Sequence, residues 1–266
     1  MKRRNFVQAL SAAAAAAAAS PLLARGAQAA APRQSSRARE YYELRQYRLR
    51  VNQRGRANQY FGSALVPALN RAGVEPVGVF NIIIGEFRDT YVLIPHRTLE
   101  TVASLPARLL DDAEYRKAGA AFLEAPAADP PFERVESSLL LAFEKVPRIE
   151  APEKKPRIFE LRRYESPSEL TSKKKIEMFN AGGELEIFRR VGLRPVFFGE
   201  TLVGPRLPCF HYMVTFENLA AREETWRKFS GDPEWKKLAA MKEYSDPQIM
   251  TNIGAALLGP APYSQI

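Results

Sequence analysis

Two short stretches of the chain place an acid, a base and a phenol on alternate residues, a combination suited to binding small ligands. The first stretch, "YYELRQYRLR", contains Glu43, Arg45 and Tyr47, and the second, "IFELRRYESP", repeats the pattern 117 residues later. Alternate side chains of a β-strand lie on the same face, so each triplet shares a face. The guanidinium of such a triplet could bind an anionic ligand through two parallel hydrogen bonds.

A structural role is the preferred interpretation of both triplets. In this interpretation each Glu neutralises the Arg two residues along its strand, and the pair seals an interface between packed layers. Symmetric duplication favours this role, because a duplicated protein often keeps an active site in only one half. The residues that differ between the halves are then more informative about function.

Two residues of the second half are the leading candidates for a half-specific pocket, Glu200 and His211. Glu200 aligns with Asn81 of the first half, and His211 has no histidine at its equivalent position. With the two triplets they complete the candidate pocket, whose members are Glu43, Arg45, Tyr47, Glu160, Arg162, Tyr164, Glu200 and His211.

No metal site and no other cofactor is predicted. The chain has two histidines, which do not align across the halves, and one cysteine, Cys209. A stable metal site usually needs three or four ligands. Motifs for a catalytic serine or for a phosphate-binding glycine loop are absent from the sequence.

The triplets belong to a longer internal repeat. The segment 71–77, "RAGVEPV", matches 190–196, "RVGLRPV", and "DAEY" at 112–115 matches "DPEW" at 232–235. The nearly constant offset of these matches predicts two duplicated domains, at 40–146 and 157–264. The residues between them, 147–156, contain Pro147, Pro152 and Pro156, which favour an extended linker.

Each half shows the order strand, helix, strand, strand, helix, strand. In the second half we predict strands at 158–164, 195–203, 209–216 and 248–258, and helices at 170–191 and 218–229, the latter extended through 233–243. This is the βαββαβ plan of a ferredoxin-like domain, so the fold class is α+β with two tandem domains.

The two sheets are expected to cover each other. Strands such as "FNIII" and "HYMVTF" are apolar on both faces, so each sheet needs a second layer besides its helices. Two four-stranded sheets packed together form an eight-stranded barrel-like core. We expect Tyr42 and Leu44 to face the helices, which would place the Glu43 and Glu160 triplets near the barrel interior or its mouth.

The first 29 residues predict an export signal. They contain a basic start, eight consecutive alanines and Ala27-Gln28-Ala29, which suits cleavage after Ala29. Arg3-Arg4 followed by Asn5-Phe6-Val7 resembles a twin-arginine signal, which predicts a periplasmic or secreted location. An ordinary secretory signal or an uncleaved anchor is the alternative.

The charge of the chain predicts no nucleic-acid partner. The full chain has a formal net charge of +9, and removing residues 1–29 leaves 35 basic against 30 acidic residues. No run of basic residues with interleaved aromatics is present. We expect no stable membrane span after signal removal. The sequence leaves open whether the chain forms a homo-oligomer.

Four motifs of the chain resemble the NIPSNAP family, whose members belong to the dimeric α/β-barrel superfamily. They are the "YELRxY" strand, the "RxG" helix end before a Pro-Val strand, the block "FENLAAREETWRKFSGDPEWKK" and the closing "LLGPAPYS". The resemblance is strong from Ile158 to about Ser264, whereas the first half is a diverged copy that lacks the equivalent of Trp226. The resemblance implies a dimeric α/β-barrel built within one chain, and it implies no settled mechanism.

Two classes of function follow. The first is an exported protein that binds a small molecule or a partner through the barrel. The alternative is a cofactor-independent enzyme, monooxygenase-like or isomerase-like, acting in the barrel pocket with one base.

Overall fold

A computed structural model describes residues 38–266. Eight strands form a closed antiparallel barrel in the order β1-β3-β2-β8-β5-β7-β6-β4. The strands are β1 Tyr41–Leu49, β2 Gly78–Ile84, β3 Asp89–His96, β4 Phe132–Ala142, β5 Ile158–Glu165, β6 Arg194–Val203, β7 Cys209–Phe216 and β8 Asn252–Pro260. Each half contributes four neighbouring strands, and the halves join where β2 pairs with β8 and β4 with β6. The predicted pairing of two βαββαβ units into one intramolecular barrel is confirmed.

The helices form two outer layers, one for each half. They are α1 Arg54–Tyr60, α2 Val66–Arg71, α3 Leu99–Asp111, α4 Ala113–Leu123, α5 Glu169–Asn180, α6 Glu184–Val191, α7 Leu219–Gly231, α8 Pro233–Ala239 and α9 Asp246–Ile249. A π-helical turn, Phe61–Leu65, joins α1 to α2, and a short 3-10 helix, Lys242–Tyr244, precedes α9. Residues 147–156 form neither helix nor strand. No helix among residues 38–266 is long and apolar enough to cross a membrane.

The single helix predicted at 170–191 is two helices, α5 and α6. They are separated at Gly182-Gly183, and Gly183 has a φ of +93°. Only glycine adopts that conformation at little cost, so the chain turns here before α6 begins. Ser168 caps α5 by accepting a hydrogen bond from the amide of Thr171, and Thr98 caps α3 in the same way.

The inner core of the barrel is apolar. Its buried side chains come from both halves: Tyr42, Leu44, Phe80, Leu93, Leu140, Ala142, Phe159, Leu161, Val196, Phe197, Met213 and Leu258. Separate apolar clusters lie between each half's strands and its helices, and they contain Tyr47 in the first half and Tyr164 in the second.

The predicted sidedness of the two charged strands is therefore wrong. Tyr42 and Leu44 point into the barrel, whereas the alternate positions, which hold the two triplets, point outward beneath the helices. An eight-stranded barrel has just enough interior space for its own side chains, so apolar groups fill it more favourably than charges do. The outer face is better for charges, because helix side chains can supply counter-charges there.

Candidate functional site

The second-half triplet lies beneath α7, where Glu160 is paired with helix side chains. Arg222 donates to both carboxylate oxygens of Glu160 at 2.8 and 3.0 Å, and the indole N–H of Trp226 donates at 2.8 Å. The two helix residues are four positions apart and so share one face of α7. The Glu160 side chain is 1% exposed, which makes this a buried and well-satisfied carboxylate.

Arg162 is a weaker partner of Glu160 than predicted. Its nearest nitrogen is 3.6 Å from the carboxylate, and its guanidinium lies over the ring of Trp226, 4.6 Å from the centroid. In this cation–π contact, the positive charge of Arg162 is attracted to the face of the indole ring. The third member, Tyr164, accepts a hydrogen bond from the hydroxyl of Tyr212 at 3.1 Å, and burial raises its pKa.

The first-half triplet keeps the predicted pair. Arg45 donates to both oxygens of Glu43 at 2.6 and 2.8 Å, and the hydroxyl of Ser137 adds a third bond at 2.9 Å. Burial pushes the pKa of Glu43 upward, but the neighbouring imidazole of His96, 3.8 Å away, and the hydrogen bonds from Arg45 outweigh it and hold the pKa at about 2. The carboxylate is therefore ionised over the whole physiological range.

The two halves stabilise the same motif with different partners. Helices α3 and α7 begin and end exactly 120 residues apart, so Val102 and Pro106 stand where the second half has Arg222 and Trp226. Without these helix partners, Glu43 depends on the arginine of its own strand. These contacts support the structural interpretation of both triplets.

Glu200 and His211 do not share a pocket, contrary to our prediction. Glu200 lies on the outer face of β6 and forms an ion pair with Lys173 of α5, with 2.5 Å between nitrogen and oxygen. It pairs across the sheet with Phe210, so the next residue on β7, His211, points to the opposite face. Of the eight predicted residues, only His211 lines a cavity inside the barrel.

That cavity, which we call the mouth cavity, opens at the end of the barrel where β1 and β5 end. It has a volume of about 290 Å³. Its lining includes Leu44, Gln46, Arg48, Tyr91, Arg134, Glu136, Ser138, Leu161, Arg163, Arg206, His211, Gly254 and Ala256. Leu44 and Leu161 belong to the apolar inner core, so the cavity has an apolar floor and a polar rim.

His211 is held as a neutral imidazole in the wall of this cavity. Its Nδ1 lies 3.1 Å from the hydroxyl oxygen of Thr201, which leaves Nε2 for a ligand. Burial, assisted by the charge of Arg163, lowers the pKa of His211 to about 3. The ring therefore contributes hydrogen bonding rather than charge at neutral pH.

Arg163 is the best-placed cation of the cavity. Its Nε donates to Glu165 at 2.8 Å, which leaves the two terminal nitrogens of the guanidinium for other acceptors. A side chain at Gly254 would come within 3.0 Å of one of them, so glycine lets the guanidinium lie against β8. In contrast, Arg48 is already engaged by both oxygens of Asp89 at 2.9 Å.

The two halves contribute different side chains to the cavity. Tyr91 pairs with Gln46 in the first half, and His211 pairs with Arg163 in the second, at equivalent positions of the repeat. Sequence reasoning missed Gln46, Tyr91 and Arg163. The available signal was the polar character of Gln46 and Arg163 at positions that alternate with the triplets.

Among residues 38–266, no cluster of three or more histidine, cysteine or acidic side chains could hold a metal ion. Cys209 is buried, and burial raises the pKa of its thiol. A buried thiol of this kind behaves as a small apolar group.

Comparison with known families identifies both halves. The NIPSNAP family model matches residues 42–144 and again 159–265. The chain belongs to the NIPSNAP family. This confirms the resemblance seen in the four motifs, including the diverged first copy. No curated protein matches the sequence significantly.

Solved structures share the fold at low sequence identity. A candidate monooxygenase from Lactobacillus acidophilus aligns with a TM-score of 0.56 and 10% identity, covering 84% of this NIPSNAP chain and 94% of its own. An anthrone oxidase-like protein aligns with a TM-score of 0.55 and 9% identity, covering 85% and 93%. A NIPSNAP-like domain protein from Burkholderia xenovorans is 21% identical over 41% of this chain and 88% of its own, with a TM-score of 0.37. At these identities the first two structures support the barrel fold alone.

Proposed function

We propose that this NIPSNAP-family chain binds a small carboxylate in the mouth cavity. The observation that carries the proposal is the free end of the Arg163 guanidinium beside a neutral His211, above an apolar floor. A planar guanidinium binds a carboxylate through two parallel N–H donors. The volume of about 290 Å³ lies at the lower end of the range of about 300–1,000 Å³ that is typical of ligand pockets, which fits a small ligand.

The electrostatics of the rim favour an anion. Four arginines line the cavity, and they face three carboxylates, those of Asp89, Glu136 and Glu165. The hydroxyl of Tyr91 is protonated at neutral pH, and burial raises its pKa further, to about 12. It can therefore donate to a bound carboxylate.

The state of His211 favours binding over the enzyme alternative. A general base works best with a pKa near the working pH, and a pKa of about 3 makes His211 a weak proton acceptor. Its hydrogen-bonding capacity is retained, because Thr201 engages only one ring nitrogen. The imidazole is thus better suited to orienting a ligand than to removing a proton.

Calorimetric titration with benzoate, phenylacetate and succinate tests the proposal. We expect at least one of these carboxylates to bind, and Arg163→Met to weaken it about tenfold or more, the effect of losing a hydrogen bond to a charged group. Arg227→Met is the matched control, because Arg227 is exposed on α7 and far along the chain from the rim. Binding that survives Arg163→Met unchanged would overturn the proposal, and oxygen consumption with a bound carboxylate would support the enzyme alternative.

We further propose that the chain is exported by the twin-arginine pathway to the periplasm or beyond. The support is the Arg3-Arg4 pair in residues 1–29, which lie outside the described residues. Replacing both arginines by lysine should leave the precursor in the cytoplasm. Fractionation that still finds the double variant exported would refute this route.

A further inference from the structure

A second cavity lies at the opposite end of the barrel, beside the first-half helices. It has a volume of about 440 Å³. Its lining comprises Ala38, Arg39, Glu40, Gly73, Val74, Glu75, Pro95, His96, Arg97, Thr101 and Arg148. We call it the α3 cavity, because the start of α3 forms part of its wall. It shares no residue with the mouth cavity.

Three arginines from separate segments meet at the α3 cavity. Arg39 precedes β1, Arg97 lies between β3 and α3, and Arg148 follows β4. Within residues 38–266 none of them has a carboxylate in salt-bridge range, whereas Glu40 of the lining accepts a hydrogen bond from the amide of Ile149 at 3.1 Å. The three guanidinium groups make no hydrogen bond within residues 38–266, and the charges of Arg97 and Arg148 act on the nearby carboxylate of Glu40.

His96 is a buried donor without a hydrogen-bond partner. Its side chain is 0% exposed, and neither ring nitrogen makes a hydrogen bond within the described residues. The Nε2 lies 3.8 Å from Glu43, which is beyond hydrogen-bond distance. Leaving a buried polar group unpaired is unfavourable, because its lost hydrogen bonds to water are not replaced. A ligand atom in the α3 cavity would satisfy it.

The start of α3 adds a favourable electrostatic field. This helix is 13 residues long, and Thr98 and Thr101 satisfy each other's amides in a capping box. The amides of Leu99 and Glu100 have no partner within the helix, as is general for a first turn. A helix N-terminus of this kind attracts negative charge.

The second half lacks this arrangement. The equivalents of His96 and Arg97 are Phe216 and Glu217. An apolar ring therefore replaces the imidazole, and an acid replaces the arginine. The matching region of the second half is divided between a cavity of about 140 Å³, lined by Phe216 and Glu217 among others, and one of about 390 Å³, lined by Leu193 and Arg194 among others. One copy of the repeat thus has a buried phenyl ring where the other has a partnerless imidazole and a cation.

From these observations we propose that the α3 cavity binds an oxyanion, a phosphate or carboxylate group carried by a small molecule. Arg97 and Arg148 would hold its oxygens in charge-assisted hydrogen bonds. His96 would donate to it from the buried side. The site is separate from the mouth cavity and does not depend on the function proposed for that cavity.

Calorimetry on the full chain tests the proposal, with inorganic phosphate and malonate as probes at constant ionic strength. We expect one or both to bind, and Arg148→Ala to weaken that binding about tenfold or more. The double variant His96→Phe with Arg97→Glu, which copies the second half, should lose binding. Arg116→Ala is the matched control, since Arg116 is exposed on α4 and has no ion pair within residues 38–266.

Arg163→Met separates the two cavities. Phosphate or malonate binding that persists in Arg163→Met and is lost in Arg148→Ala belongs to the α3 cavity. The opposite pattern would place the anion in the mouth cavity and overturn the proposal. Absence of binding by the unaltered chain, or equal binding by Arg148→Ala and Arg116→Ala, would overturn it as well. If the double variant fails to fold, Arg148→Ala alone decides.

Discussion

Replacing Arg222 by alanine should destabilise the protein more than any change at Arg162. Arg222 supplies two of the three hydrogen bonds to the buried carboxylate of Glu160. After the change, the indole of Trp226 is the remaining close donor, and it carries no charge. Glu160 would then be a buried anion whose nearest cation is Arg162, 3.6 Å away.

The magnitude follows from the burial of each partner. Removing one member of a buried ion pair costs about 3–5 kcal/mol. The Arg222 side chain is 21% exposed, and Arg162 can move closer to compensate, so we expect the lower end, about 3 kcal/mol. In a domain of this size, that loss lowers the melting temperature by about 6–12 °C. Arg162→Ala leaves the Arg222 pair intact and should cost less.

Urea unfolding followed by circular dichroism gives these free energies. Arg227→Ala, on the exposed face of the same helix, controls for the loss of an arginine from α7. The double variant Glu160→Leu with Arg222→Met should recover much of the loss, because neither charge is then buried. A cost below about 1 kcal/mol for Arg222→Ala, or an equal cost for Arg162→Ala, would refute the assignment of Arg222 as the principal partner.

Three further predictions concern acid stability and assembly. The pKa of Glu43 in the folded protein is depressed to about 2, so its contribution to stability is present above about pH 4.3 and is lost as the pH falls toward 2. When stability is measured as a function of acid pH, Glu43→Gln should flatten this decline. His211 stays neutral in the folded protein but binds a proton in the unfolded chain, so the stability of the protein should fall as the pH falls from about 6.5 to 3. His211→Asn should remove this dependence on pH. An unchanged slope in the variant would contradict the depressed pKa. The isolated segment 157–266 should dimerise, because it exposes apolar inner faces such as that of Phe159, and a monomer in sedimentation would count against this.

The repeat and its strand order could be predicted from local pattern, but the sidedness of β1 and β5 could not. Alternation shows that Glu160 and Leu161 lie on opposite faces, and both faces of these strands are buried in the structure. For β5, the inward side is decided by Arg222 and Trp226, which are more than 60 residues away in the chain. Their role is visible only once α7 is placed over β5.

The candidate site was recovered only at His211. Glu200 was paired with His211 because both differ between the halves, yet strand register puts them on opposite faces. Arg163 was overlooked because it lies next to the conspicuous Arg162. An adjacent arginine on a strand points to the other side of the sheet, and in this barrel that side is the mouth cavity.

The unlike lining of the mouth cavity has a consequence for how a ligand is oriented. A barrel assembled from two identical chains has a dyad along its axis, so every side chain at the mouth occurs twice, and a ligand on the axis has two equivalent poses. In this chain the places related by that pseudo-dyad hold Tyr91 and His211, and likewise Gln46 and Arg163. The two poses would therefore no longer be equivalent: a carboxylate bound as proposed would have one preferred end of the cavity, the end that holds Arg163 and His211.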